Sequence, residues 1–283
     1  MNVPLLAIDR LEVDITVADK PKPIIRGITL EVARGQAVGL VGESGSGKSM
    51  TVRSVLRLLP HMATTRGDIR FDGASVFAME SRALREFRAN DVAMIFQDPR
   101  VHINPVRTIG QFLVDGPTLT RGTSRRDAEQ NAVRQLRAVG IDDAPRRMRQ
   151  HPHELSGGLL QRVMIAAALT ADPKLLLADE PTTALDVTTQ EEVMAILDEL
   201  RREHGLAMLF ITHDLDLATA ACDRLAVMKD GVIVEELAAD DIYDNARDPY
   251  TIALMAARAE LEGRRPHSTA VGTDDGSVEG STR

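Results

Sequence analysis

The sequence predicts an α/β fold in which a parallel sheet is flanked by helices. Three observations predict it. A continuous apolar run, Ala37-Val38-Gly39-Leu40-Val41, passes straight into a glycine-rich turn and then into an amphipathic helix. Two further apolar runs, 175–178 and 206–211, are separated by a helical pattern, and such alternation is the mark of a parallel sheet. The composition agrees: 283 residues, 43% hydrophobic and 27% charged, are enough for a sizeable core.

The elements follow in order. Leu11–Val17 and Ile28–Val32 read as short strands, with a turn at 33–35 behind them. The run 37–41 fits a strand buried on both faces. In the next helix Val52, Val55, Leu56 and Leu59 recur at helical spacing, and Pro60 predicts its end. Residues 98–165 carry few strand signals and many charges, as a helical insertion would; 122–140 is an amphipathic helix with Ala132, Leu136 and Val139 on one face, and 163–169 is an apolar one. Leu175–Ala178 ends at Asp179-Glu180, and 206–211 ends at Thr212-His213-Asp214. Between these strands lies a helix with Val193, Ile196, Leu197 and Leu200 on one face. Residues 224–236 read as a hairpin closed by Lys229-Asp230-Gly231. From 263 to 283 little can be buried, and that tail is expected to be disordered. With no internal repeat, 1–262 is expected to be one domain.

Composition excludes several classes. Lys+Arg 34 against Asp+Glu 42 leaves a net charge of −8, so nucleic acid is not an expected partner. Aromatic residues make up 3%, too few for a base-stacking surface. The single cysteine, Cys222, rules out an internal disulfide and CxxC metal sites. The opening MNVPLLAIDR lacks a basic region followed by an apolar run, so it is not expected to be a secretory signal. No apolar run approaches the ~18–20 residues that span a bilayer, so any membrane role is expected to come through a partner.

Three motifs carry chemistry. Gly42-Glu43-Ser44-Gly45-Ser46-Gly47-Lys48-Ser49 is a G-x-x-x-x-G-K-[ST] loop between a buried strand and a helix. Its glycines allow backbone N–H groups to turn toward phosphate oxygens, and the helix adds its positive end. Lys48 is expected between the β- and γ-phosphates and Ser49 at Mg²⁺. In Leu175-Leu176-Leu177-Ala178-Asp179-Glu180-Pro181 a buried strand delivers two carboxylates at its C-terminal end, where α/β sheets place ligands. Asp179 is expected to serve the metal and Glu180 to act as general base. In Leu155-Ser156-Gly157-Gly158-Leu159-Leu160-Gln161-Arg162, Ser156 is a candidate N-cap and the two glycines permit close approach of an anion.

In this order and spacing the three motifs resemble the ATP-binding-cassette (ABC) ATPases, over roughly residues 5–260. LSGGxxQ is that family's signature. The resemblance implies a phosphate-loop core (1–97 and 166–236) with an N-terminal antiparallel β-layer, a helical subdomain (98–165) and a C-terminal extension (237–262). It implies two cassettes paired head to tail, so that Ser156, Gly157, Gly158 and Gln161 of one complete the ATP site of the other, with Asp186 of Ala184-Leu185-Asp186 at the interface. Gln97 resembles the Q-loop glutamine, which contacts Mg²⁺ and water. His213 resembles the switch histidine at the γ-phosphate, and Met50 follows the phosphate loop as part of the nucleotide site.

FQDPRVHINPVRTIGQF (96–112), HPHELSGG (151–158), DEPTTALDVTTQ (179–190) and DPYTIALM (248–255) are similar to the peptide and nickel importer branch. This implies ATP and Mg²⁺ as cofactors. It also implies a second cassette (a sister chain or itself), two permease subunits, an indirect link to a substrate-binding protein, and a peripheral position on the cytoplasmic face of the inner membrane. The expected cargo is di- or oligopeptides, with nickel as the alternative; an exporter cassette or a non-transport cassette ATPase fits the motifs less well. Where many cassettes place an adenine-stacking ring, this chain has Leu11–Val17 without one, so Ile15 or Val17 is expected against the base. The branch's His-Pro-Tyr-Thr reads Asp248-Pro249-Tyr250-Thr251 here.

Overall fold

Val38 and Leu40 of the first buried strand point to one side of a sheet, Ala37 and Val41 to the other, and that alternation organises the molecule. The structure is a computed structural model that describes residues 3–183 and 185–261. The expected tail from 263 onward lies outside the described residues, as does Ala184.

The chain begins with an antiparallel pair, β1 (Leu6–Val17) and β2 (Lys20–Val32), followed by β3 (Ala37–Val41) and α1 (Lys48–Val55). β4 (Ala63–Phe71) and β5 (Ala74–Ser75) return to the first pair; then come α2 (Ser81–Glu86) and β6 (Val92–Ile95). α3 (Pro99–His102), α4 (Ile109–Arg121), α5 (Arg125–Ala138), α6 (Ala144–Arg147) and α7 (Gly157–Leu169) form the helical stretch. β7 (Leu175–Asp179), α8 (Val187–His204), β8 (Ala207–Thr212) and α9 (Leu215–Ala221) resume the alternation. β9 (Arg224–Lys229), β10 (Val232–Ala238), α10 (Ile242–Asn245) and α11 (Pro249–Leu261) complete it.

Two sheets result. The central six strands run β10-β9-β3-β8-β7-β6, parallel except for the β9–β10 hairpin; the smaller sheet is antiparallel, in order β2-β1-β4-β5. Leu176, Ala178, Met208 and Phe210 of the central sheet join the helical side, packing with Val163, Val193 and Leu197. Leu175, Leu177, Leu209 and Ile211 face the other way, toward α1 (Val52, Val55) and the antiparallel sheet (Leu6, Ile8, Val13, Ile28). The second face is therefore covered mainly by a β-layer rather than by helices alone.

The local differences from expectation have tertiary causes. α1 ends at Val55, not at Pro60. Arg57 takes a left-handed φ of +51°, and the Arg88 guanidinium donates to the carbonyls of Leu56 (2.8 Å) and Arg57 (3.0 Å); Pro60, with no N–H, could not have bonded the Leu56 carbonyl in a longer helix. Ser156 is the N-cap its type and place suggested: its Oγ accepts the Leu159 N–H at 3.3 Å, so α7 begins at Gly157, ahead of the apolar run 163–169. β1 and β2 are longer than the hydrophobic runs within them, since pairing with each other and with β4 extends them past their apolar residues. Cys222 follows α9 and is 8% exposed; burial pushes its thiol pKa far up.

Candidate functional site

The turn after β3 is squeezed between two strands. A Cβ on Gly42 would lie 2.1 Å from the Met228 carbonyl oxygen. One on Gly47, at φ +110°, would lie 2.8 Å from Met228 Cε and 3.0 Å from the Ile24 carbonyl oxygen. Only glycine lets the loop pass so close to β9 and β2. α1 opens from Gly47 with no acidic residue in its first turn, so its positive end is not offset there. Lys48 is 4% exposed, and its ammonium curls back to donate to the carbonyls of Gly42 (2.7 Å) and Glu43 (2.8 Å). Burial lowers its pKa, opposed by the negative charges of Glu180, Asp179 and Glu43.

The C-terminal ends of β6, β7 and β8 bring the acids to this loop. Ser49 Oγ donates to Asp179 Oδ1 at 2.8 Å. Asp179 is 4% exposed, and burial raises its pKa; the Ser49 hydrogen bond and the charge of Arg53 oppose the shift. A hydroxyl beside a carboxylate is an oxygen donor set of the kind Mg²⁺ takes. Glu180 adopts φ +46°, held by its N–H to the Ile211 carbonyl at 2.9 Å. Its Oε2 accepts from Gln97 Nε2 (2.9 Å) and Thr183 Oγ1 (2.8 Å), and His213 Nδ1 lies 3.4 Å away. A carboxylate oriented this way can serve as a general base.

Most of these side chains line one cleft of about 850 Å³; Asp179, buried against Ser49, and Thr183 are not part of its lining. Gly42, Glu43, Ser44, Gly45, Gly47, Lys48, Ser49 and Met50 border it, with Gln97, Glu180 and His213 at the acidic end. Ser46 is buried within the loop. Ile15, Lys22, Ile24 and Leu254 complete the lining. Of the two residues expected against the base, Ile15 lines the cleft; Val17 is 56% exposed and is not part of the lining.

Ser156, Gly157, Gly158, Gln161 and Asp186 are not brought to this cleft. A Cβ on Gly158 would meet Thr189 Cγ2 at 2.6 Å, so the start of α7 packs on the start of α8. Asp186 caps α8 by accepting from Thr189 N (3.0 Å) and Thr189 Oγ1 (2.8 Å), which holds its carboxyl below the usual range. Gln161 is 1% exposed and, with Gly157 and Leu185, lines a smaller cleft of about 150 Å³ that shares Gln97 with the first. The His151 and His153 rings stack at 5.6 Å, and Glu154 accepts the His151 N–H, a local cap ahead of α7.

Sequence reasoning missed two contributors. Thr183 sits three residues after Glu180, and a hydroxyl at that spacing was the available signal. Tyr250 accepts the Glu43 N–H through its Oη at 3.1 Å; nothing local in the sequence links it to a loop 207 residues away.

A glycine-rich loop running into a helix N-terminus, a lysine folded over it and a serine–aspartate pair beside it define a phosphate-loop nucleotide-binding protein. The profile described as ABC transporter matches residues 25–183, more than half of the sequence, and the chain belongs to the ABC transporter family. It is 43% identical over 269 residues to the peptidoglycan transport ATP-binding protein YejF of Agrobacterium fabrum, covering 94% of this chain and 49% of that protein. It is 40% identical over 258 residues to the oligopeptide transport ATP-binding protein OppD of Salmonella typhimurium, covering 91% of this chain and 77% of that one. The chain thus spans about half the length of the first relative and about three quarters of the second. Among solved structures, the dimeric post-hydrolysis state of the ATP-binding cassette MJ0796, bound to ADP and Pi, superposes with a TM-score of 0.74 at 27% identity, over 83% of this chain and 98% of that one.

Proposed function

We propose that the chain is the ATP-binding and ATP-hydrolysing subunit of a binding-protein-dependent importer, with di- or oligopeptides as cargo. One observation carries the hydrolytic part: Gln97, Thr183 and His213 converge on Glu180, and Gln97, Glu180 and His213 line the same cleft as the phosphate loop, whose Ser49 is hydrogen-bonded to Asp179. The triphosphate of ATP would lie along the loop amides, with Lys48 at the β- and γ-phosphates. Ser49, Asp179 and Gln97 would hold Mg²⁺, which when bound offsets charge on the phosphate oxygens. Glu180 would take a proton from water as the water oxygen bonds the γ-phosphorus and the bond to the β–γ bridging oxygen breaks. ADP and phosphate result, and His213 would contact the γ-phosphate.

Ser156, Gly157, Gly158 and Gln161 would complete the site of a second cassette, with Asp186 at the interface. Their separation from this chain's own cleft and the dimeric MJ0796 neighbour support that assignment. The core (1–97 and 166–236), helical subdomain (98–165) and C-terminal extension (237–262) are assigned as the resemblance implies. A largely apolar cleft of about 380 Å³ between the core and the helical stretch, bordered by Leu58, Phe96, Phe112 and Met164, supports docking of a permease segment next to Gln97. Among the described residues no helix is long and apolar enough to cross a membrane; attachment at the cytoplasmic face of the inner membrane would come through the permease.

The relatives are named for oligopeptide and peptidoglycan transport, which favours peptides over nickel as cargo. The test is uptake in the source cell with wild type and Glu180→Gln, offering labelled dipeptide, oligopeptide and nickel in parallel. Peptide uptake is expected to collapse while nickel uptake holds. ATP turnover at the wild-type rate by purified Glu180→Gln would sink the assignment of the base.

A further inference from the structure

We propose that α11 is the base-side wall of the ATP cleft and that Leu254 is a specificity-determining contact for the adenine ring. The proposal rests on the assignment of the cleft to ATP and extends it to a segment that no phosphate-loop motif contains.

Apart from His213, the described residues that line the cleft offer no ring to stack on a base. Ile15 and Ile24 border it from the β-layer, with Lys22 paired directly across from Ile15. Among the described residues, Leu254 is the contribution to the lining from α11. A flat heteroaromatic ring placed there would be covered by branched aliphatic side chains rather than by an aromatic face. Such a contact still removes apolar area from water.

α11 is fixed to the site in register. Asp248 Oδ1 accepts the Tyr250 N–H at 2.8 Å and starts the helix, while Glu235 accepts the N–H groups of Arg247 (2.6 Å) and Asp248 (3.3 Å). Thr251 is fully buried. Tyr250 Oη takes the N–H of Glu43 within the phosphate loop, and the Lys229 ammonium sits 4.6 Å from the Tyr250 ring centroid. Tyr250 and Leu254 are four residues apart, so they share one helix face. Anchoring Tyr250 on the loop therefore sets Leu254 over the cleft that the loop closes. This also gives Asp248, which stands where the importer branch has histidine, a definite task as the helix cap.

The test uses the full chain and two probes in the presence of Mg²⁺: ATP, and inorganic tripolyphosphate, which has no base. About 50 Å² of ring buried against Leu254 corresponds to roughly tenfold in affinity. Leu254→Asp is expected to weaken ATP by about that factor and leave tripolyphosphate within about twofold; Leu254→Phe is expected to tighten ATP alone. If both probes bind wild type and neither variant changes ATP affinity by more than about twofold, the proposal is overturned while the ATP assignment stands. A parallel loss of both probes in Leu254→Phe would assign the residue to the loop instead of the base and also overturn it. If wild type binds neither probe, the ATP assignment falls, and this proposal with it.

Discussion

Gln97 and Glu180 stand 83 residues apart and are joined by a 2.9 Å hydrogen bond from Gln97 Nε2 to Glu180 Oε2. Thr183 donates to the same oxygen and His213 approaches it, so one carboxylate oxygen is engaged on several sides. Groups that share a partner act as a unit. Gln97→Ala and Thr183→Ala are each expected to lower kcat by about tenfold, and the double variant by less than the product, with a coupling of about 0.5–1.4 kcal/mol. Steady-state phosphate release for the four proteins measures this; full additivity would show that the two donors do not cooperate in holding Glu180.

Gly42→Ala is expected to destabilise the fold and abolish ATP binding together. The new Cβ would sit 2.1 Å from the Met228 carbonyl, which is backbone and cannot swing aside. Overpacking of this kind costs about 1–3 kcal/mol. Thermal unfolding of the variant should begin several degrees below wild type, and an unchanged Tm would show that β9 yields.

Asp179→Asn should separate stability from function. Burial raises the Asp179 pKa in the folded chain above its unfolded value, so the folded protein binds more protons than the unfolded one between those values. The residue therefore contributes stability at low pH that is lost as pH rises through its folded pKa. Above that pKa the uncharged amide avoids burying a charge and still accepts the Ser49 hydroxyl. At neutral pH the variant is expected to melt higher, by about 2–4 °C for each kcal/mol at this size, and to lose Mg²⁺-dependent ATP turnover. The Tm difference should shrink as the pH is lowered; a difference that grows in acid would reverse the sign of the argument.

Arg121, at the end of α4, ties the helical stretch to the core. Its guanidinium donates to the carbonyls of Ala89 (2.7 Å), Thr170 (3.3 Å) and Ala171. Hydrogen bonds from a charged donor are worth about 1.5–3 kcal/mol. Arg121→Ala should lose an amount in that range by urea titration, with Arg121→Lys recovering only part, since an ammonium cannot span the same carbonyls. Equal stability of the alanine variant and wild type would refute the tether.

The phosphate loop and the carboxylates after β7 are legible in sequence because each is local: a buried apolar run delivers a motif at a strand end. The β-layer is less legible. β1 and β4 pair across a bulge between Asp9 and Glu12, where Arg10 takes φ +45°. Gly67 of β4 fits there because it has no Cβ, which would lie 2.3 Å from the Arg10 carbonyl oxygen. Neither strand announces that partner in its own residues. At the end of α1 the Leu56 carbonyl accepts from Arg88, 32 residues away, a contact that no pattern within the helix encodes. Ser156 was readable as a cap from its type and place, whereas its proposed place in a second cassette's site came only through family resemblance.

The burial of Cys222 has a practical consequence. Thiol reagents attack the thiolate, and here the only sulfhydryl in the sequence is enclosed and held protonated. The folded chain should therefore behave toward maleimides as though it had no cysteine. A cysteine introduced at Val187, which is 73% exposed beside the Asp186 cap, could then carry a dye as the sole modified position and report the approach of another subunit. Conversely, slow modification of the wild type would time the opening of the core itself, giving a clock for unfolding that needs no engineered label.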